Sequence, residues 1–258
     1  MPRLAATVML VRPAASAPHI EVFMLRRSTK SAFAPDAFVF PGGTLDPADS
    51  SDRALATTYG VEPGALRRIA AFAGADRVPD LPSEREFAGL YVTALRELFE
   101  EAGVLLACSA GGVPLPPESS LAAHTGSRDY QDVLTDLHAL GDARALRLFS
   151  RWITPNDEPR RYDAYFFAAL TSREQTATAD ARETHDGVWI EPREALARYA
   201  AGSFRMIYPT IKHVERLEAF SSGSALMSFA AVKPVHTIMP RGSLAAGLAL
   251  PREMDGAW

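Results

Sequence analysis

The chain has 258 residues, 47% of them hydrophobic and 22% charged, with a formal net charge of −4. That length and apolar share suffice for a sizeable core and exclude a disordered-class composition, and the acidic balance excludes a polybasic footprint for nucleic acid. The single Cys108 excludes an intramolecular disulfide framework and a multi-cysteine zinc site, and no apolar run approaches the ~20 residues that cross a bilayer.

Residues 1–12 hold an interrupted apolar run leading into Arg12-Pro13, which reads as a first strand and not as a signal peptide. Residues 254–258 carry no peroxisomal or endoplasmic-reticulum address, so a cytoplasmic location is expected. Residues 5–11 and 20–25 are apolar, β-rich runs joined by an Ala/Ser/Pro connection, which predicts an antiparallel pair. Arg26 and Arg27 close the second strand, where basic residues either hold phosphate or sit in a solvated turn. Phe38-Val39-Phe40 is a short strand stopped by Pro41-Gly42-Gly43, a pair of glycines that permits close backbone approach.

Residues 46–52 are acidic and turn-rich. Asp46 and Asp49 stand beside proline there, where acids are more often turn formers than ligands, and Asp52 is placed to cap a helix over about 53–59. Pro63 suits the first turn of a further helix through about residue 72. Ser83-Glu84-Arg85-Glu86 matches a capping box, after which Phe87, Leu90, Tyr91, Ala94, Leu95, Leu98 and Ala102 recur at helical spacing until Gly103 stops the helix. On that helix Glu97, Glu100 and Glu101 stand at i, i+3 and i+4 and share one face off the apolar stripe. Like charges so placed cost a few tenths of a kcal/mol per pair, roughly, and a hard divalent cation with oxygen ligands is one means of compensation.

Residues 104–107 read as a strand, 128–140 and 142–149 as two short helices, and 152–154 as the start of an extended segment. Residues 161–170, aromatic and apolar, predict a central strand. Residues 171–186 are polar and loop-like, 187–190 a strand, and helices are expected from Pro192, near 209–220 and over 224–231, followed by an extended stretch at 235–239. The six histidines show no metal-binding spacing and read as surface or satisfied residues. The reading is one α/β domain over residues 1–258.

Pro41-Gly42-Gly43, followed by Arg96-Glu97-Leu98-Phe99-Glu100-Glu101-Ala102-Gly103-Val104, resembles the two halves of the Nudix box. The second half matches at every specified position. In the first half Asp49, not Glu, stands six residues after Gly43, and Gly43 lies 53 positions before Arg96 where an uninterrupted box has 14, an insertion of about 39 residues. Interrupted in this way, the chain resembles the branch that includes the peroxisomal coenzyme A diphosphatases.

The resemblance implies a Nudix-type α/β/α sandwich with a mixed sheet, a helical insertion inside the box (about 50–88) and extra C-terminal helices (about 205–258). It implies hydrolysis of a nucleoside diphosphate linked to another moiety, foremost coenzyme A or acyl-coenzyme A to 3′,5′-ADP and a phosphopantetheine product, with Mg²⁺, or Mn²⁺, as cofactor. Glu97, Glu100, Glu101 and the Gly42 carbonyl would hold the metal, Arg96 would orient a glutamate, and Glu100 or Glu183 would be the general base. Arg26, Arg27, Gly43 and Arg161 would contact substrate. A small-molecule nucleotide or coenzyme A is the expected partner, not nucleic acid or a membrane, and the oligomeric state, a homodimer included, is left open. Two alternatives stand beside this: the same chemistry on ADP-ribose, NADH or another nucleotide, and a non-catalytic nucleotide-binding regulator.

Overall fold

The structure, a computed structural model, describes residues 1–15, 18–30, 34–62, 64–69, 79–123, 129–179, 184–243, 247–254 and 258. β1 (Arg3–Pro13) and β2 (Ile20–Arg27) form the expected antiparallel pair, with Val11 opposite Val22. β3 (Phe38–Val39) adds to β2, and β4 (Gly42–Thr44) returns to β1 with Ala6 opposite Gly43 and Thr7 opposite Gly42. β1 is therefore forked, paired with β2 near its end and with β4 near its start.

Between β4 and the main helix come a 3₁₀ turn (Pro47–Ser50), α1 (Asp52–Ala56), β5 (Thr58–Tyr59) and a second 3₁₀ turn (Ala65–Arg68). Then follow α2 (Glu84–Ala102), β6 (Ala107–Ser109), α3 (Glu118–Ala123), α4 (Tyr130–Asp136), β7 (Ala139–Asp142), β8 (Leu146–Ile153) and β9 (Tyr162–Leu170). The remaining elements are β10 (Thr184–Ile190), α5 (Pro192–Ala200), α6 (Tyr208–Leu217), α7 (Gly223–Val232), β11 (Thr237–Ile238) and the hairpin of β12 (Arg241–Ser243) with β13 (Gly247–Ala249).

The main sheet is mixed, in the order β10-β2-β1-β9-β8-β11, with β1 parallel to β9 and β8 parallel to β11. Successive side chains of a strand point to opposite faces, so Val8, Leu10, Tyr165 and Phe167 bury on one side and Met9, Val11, Phe166 and Ala168 on the other. Leu90, Ala94 and Leu98 of α2 fill the first side, while Val214 and Leu217 of α6 and Leu226 and Ala230 of α7 fill the second. The result is the α/β/α sandwich with added C-terminal helices, and β9 is central, as its apolar run predicts. Among the described residues no helix is long and apolar enough to cross a membrane.

α2 is the best-read element. Ser83 Oγ accepts from Glu86 N at 3.2 Å while Glu86 Oε2 accepts from Ser83 N at 2.9 Å, and Gly103 takes the left-handed conformation (φ 65°) that ends the helix. Five expectations need correction. The helix expected over 128–140 ends at Asp136, and Ala139 and Leu140 instead begin β7, paired with Ser109 and Cys108 of β6. Residues 142–149 are not a helix: Asp142 caps one 3₁₀ turn, and Leu146 and Leu148 alternate with Arg147 as β8 pairs along β9, tertiary pairing overriding local helix propensity. The strand expected at 104–107 starts at Ala107, since Leu105 N donates to the buried Ser120 hydroxyl at 3.0 Å instead of to a strand. The helix near 53–59 ends at Ala56 and is capped by Ser51, not Asp52. Of the helix expected over 63–72, the described part is a single 3₁₀ turn. There Arg68 reaches the α7 carbonyls of Ala230 and Ala231 at 2.9 and 2.8 Å, and Ile69 bridges to Val235. Residues 63 and 70–72 lie outside the described residues.

Candidate active site

The i, i+3, i+4 spacing of Glu97, Glu100 and Glu101 on α2 needs a counter-charge, and Arg96 provides one from the same turn. Its Nη1 donates to Glu97 Oε1 and to Glu100 Oε2, both at 2.8 Å. The other side of the guanidinium, Nε and Nη2, grips Asp49 at 2.9 and 3.0 Å, the two-pronged geometry that suits arginine and carboxylate. Asp49 is 3% exposed and carries further donors, Thr93 Oγ1 at 2.8 Å and the Asp46 amide at 3.1 Å. The 3₁₀ turn that presents it is fixed in turn by Asp46, whose Oδ1 accepts from Ala48 N at 2.8 Å.

Asp49 was the acid that departed from the box pattern, and its position six residues after Gly43 was the signal that could have identified it as the partner of Arg96. Although 47 positions separate the two, the ion pair forms across the insertion. A charged pair this buried is held by complete hydrogen bonding, and removing one member would strand the other.

The glycine pair faces the helix. Gly42 N donates to Glu101 Oε2 at 2.8 Å. A Cβ on Gly42 would lie 2.4 Å from the Ala6 carbonyl oxygen, so close approach of strand to strand leaves that position no room for a side chain. A Cβ on Gly43 would lie 2.2 Å from Glu97 Oε1 and would push that carboxylate from its place.

Burial raises the pKa of Glu97; Arg96 opposes that shift and the charge on Glu100 reinforces it. Burial likewise raises Glu100, again against Arg96. Burial alone would lower Arg96, but its bond to Asp49 and the charges of Glu97 and Asp49 carry it above its ordinary value. Among the described residues no three acidic, His or Cys side chains converge on one metal-sized point, because Glu97 and Glu100 turn to Arg96 and Glu101 to the Gly42 amide. The donor chemistry nonetheless fits a hard divalent ion: all three side chains offer carboxylate oxygens, and a nearby dication would relieve the burial that raises Glu97 and Glu100.

A cavity of about 390 Å³ opens beside Glu97, Glu101, Gly42 and Gly43. Its farther lining is apolar, with Trp152, Phe166, Ile207, Pro209 and Leu248 prominent. Sequence reasoning missed this wall, because its residues come from separate segments and carry no local pattern.

The other expected site residues divide. Arg27 lines the cavity. Arg26 is paired with Asp36 (2.7 Å) and lies 3.6 Å from Asp186, and it is not among the cavity-lining residues. Arg161 Nε donates to the Thr154 and Pro155 carbonyls at 3.2 and 3.1 Å, tying down the β8–β9 connection, and it too is absent from the lining. Glu183 lies outside the described residues. His213 is a satisfied core residue. Pro209 O can only accept, so Nδ1 carries the proton donated to it at 2.7 Å, and Nε2 accepts from Ser150 Oγ at 2.8 Å.

Comparison with known proteins gives a consistent result. A family model described as the NUDT19 Nudix domain matches residues 3–217. The acyl-coenzyme A diphosphatase NUDT19 of Gallus gallus is 34% identical over 246 residues, covering 81% of this chain and 64% of that protein. The same-named protein of Homo sapiens is 29% identical over 240 residues, covering 81% and 63%. The chain thus spans a little under two thirds of the length of these curated relatives. The crystal structure of a NUDIX hydrolase from Alicyclobacillus acidocaldarius is similar at a TM-score of 0.68 and 27% identity, over 88% of this chain and 96% of that one.

Proposed function

The chain belongs to the Nudix family, in the group described by the NUDT19 Nudix domain, and from that premise we propose that it is a metal-dependent diphosphatase of coenzyme A or acyl-coenzyme A. Water would add to phosphorus, the bridging P–O bond would break, and 3′,5′-ADP and a phosphopantetheine product would leave. We read residues 1–258 as one Nudix domain with its insertion at about 50–88 and its C-terminal extension at about 205–258.

The observation that carries the reading is the Asp49–Arg96–Glu97/Glu100 array, set beside Glu101 and the two glycines at the mouth of a cavity. Glu97, Glu100 and Glu101, with the Gly42 carbonyl, would hold Mg²⁺ or Mn²⁺, which supplies charge neutralisation at phosphate and a more acidic water. Asp49 fixes Arg96, and Arg96 in turn fixes the carboxylates of Glu97 and Glu100, a supporting shell of the kind that orients ligands. Arg27 lines the cavity, and its guanidinium would meet phosphate oxygens. Glu100 and Glu183 compete for the role of base; Glu100 has burial on its side, since a raised pKa improves proton acceptance near neutral pH. The names of the curated relatives support coenzyme A derivatives as the substrate class.

The test is mass-spectrometric product identification with Mg²⁺ across coenzyme A, an acyl-coenzyme A, ADP-ribose, NADH and diadenosine polyphosphates. Release of 3′,5′-ADP from the coenzyme A compounds at the highest kcat/KM is the expected result. Preference for ADP-ribose or NADH would move the substrate. Tight nucleotide binding without turnover of any compound would replace the enzyme with a regulatory module.

A further inference from the structure

The cavity floor has a direction set by strand register. Thr44 on β4 stands opposite Ala5 on β1, Ala5 opposite Ala164 on β9, and Ala164 opposite Trp152 on β8, and all four line the cavity. Gly42, Thr7 and Phe166 make a parallel row one step away. The floor therefore runs across three strand spacings of about 4.8 Å, roughly 14 Å, from the glycine strand beside Glu97 and Glu101 to the aromatic wall. The inner strands contribute the small residues Ala5, Thr7 and Ala164 to the lining, and Ile207, Pro209, Pro240 and Leu248 complete it from outside these four strands.

Its chemistry separates the two halves of a coenzyme A molecule. The 3′-phosphoadenosine half carries a doubly charged phosphate, and desolvating that charge requires paired cations. Among the described residues lining the cavity, Arg27 is the one cation, and the diphosphate itself calls on it. The pantetheine half is a neutral chain with a dimethyl group, a hydroxyl and two amides. Apolar walls suit its carbon atoms, and the hydroxyl-bearing side chains Thr154, Tyr162 and Thr210 suit its amides. Its length also fits: about 13 bonds separate phosphorus from sulfur, about 16 Å at the advance of roughly 1.2 Å per bond of an extended chain.

We propose that the β4–β1–β9–β8 floor holds the pantetheine arm, with the thiol or thioester at the Trp152 end and the 3′-phosphoadenosine left outside the cavity. Ile207 and Leu248 then determine specificity, and Leu248 lies beyond the 3–217 span shared with the family. This rests on the coenzyme A reading of the site.

Two variants test it. Ile207 is the N-cap of α6 and makes no side-chain cap bond, so Ile207→Asp adds a favoured cap residue and preserves the helix while placing charge at the cavity. Leu248→Asp places a charge at the cavity from the hairpin. Calorimetric titration with 4′-phosphopantetheine and, separately, with 3′,5′-ADP reads the two halves. The first should bind about tenfold more weakly to both variants and the second within about twofold of the parent protein, the scale of one mismatched contact in an apolar pocket. Equal weakening of both ligands, or weakening of 3′,5′-ADP alone, would overturn the assignment. A parent protein that turns over no coenzyme A yet loses 4′-phosphopantetheine binding in both variants would sink the catalytic reading and support the arm site.

Discussion

In α2 the carboxylates proposed to hold the metal come from residues 97–101, one turn and a half of a single helix, whereas the cavity beside them is walled by residues that range from Ala5 to Leu248. The helix is over-determined: a capping box, an apolar stripe and a glycine stop all agree, and Asp49, Arg96 and Thr93 lock its acidic face. The cavity is a product of register and of the segments that cover it. On the proposed function, chemistry is held by short-range design and substrate choice by long-range assembly. Substitutions in the two regions should therefore differ, kcat failing in the first and KM in the second.

The largest effect should come from the helix. Glu100→Gln or Glu101→Gln is expected to lower kcat by about 10³-fold with an unchanged melting temperature, and EDTA should abolish turnover until Mg²⁺ or Mn²⁺ is restored. Near-normal kcat in either variant would break the distinction between the regions. Next comes the support of that face. Asp49→Asn should keep the shape of the ion pair but weaken the hold on Arg96, costing about 10–100-fold in kcat or in the metal concentration for half activation. A KM-only effect would assign Asp49 to substrate binding instead.

A smaller effect concerns the second face of the sheet, under the C-terminal helices. His213 is buried among aromatic rings, and that burial lowers its pKa from 6.5 to about 3. The unfolded chain therefore binds a proton that the folded chain refuses between pH 6.5 and 3, so stability is full above 6.5 and falls as the solution is acidified. At about 1.4 kcal/mol per pH unit, the loss between pH 6.5 and 5 is about 2 kcal/mol at most. Urea midpoints for the parent and for His213→Gln should converge as the pH falls; parallel curves would place the acid sensitivity elsewhere.

The same contrast explains what could be read from the sequence. The strands β1, β2 and β9 declared themselves as apolar runs, the helix α2 by apolar periodicity, and Glu97, Glu100 and Glu101 by their spacing. Asp49 was legible as a position in the box but not as a buried partner, because its role depends on Arg96 arriving from beyond the insertion. Residues 142–149 looked helical because their alanines and arginines favour a helix, and only pairing with β9 makes Leu146 and Leu148 strand residues. Arg26 and Arg161 looked available for phosphate, but Asp36 and the carbonyls of Thr154 and Pro155 engage them. Nothing local joins Trp152, Ile207 and Leu248, which meet only once the sheet is assembled.

The central claim, that the acidic face of α2 performs a metal-dependent cut, is tested most directly by one comparison. Coenzyme A is incubated with Mg²⁺ and either the parent protein or a Glu97→Gln/Glu100→Gln/Glu101→Gln variant of equal thermal stability, and the products are identified by mass spectrometry. The account predicts 3′,5′-ADP and 4′-phosphopantetheine from the parent and intact coenzyme A from the variant. Comparable product from both proteins would contradict it.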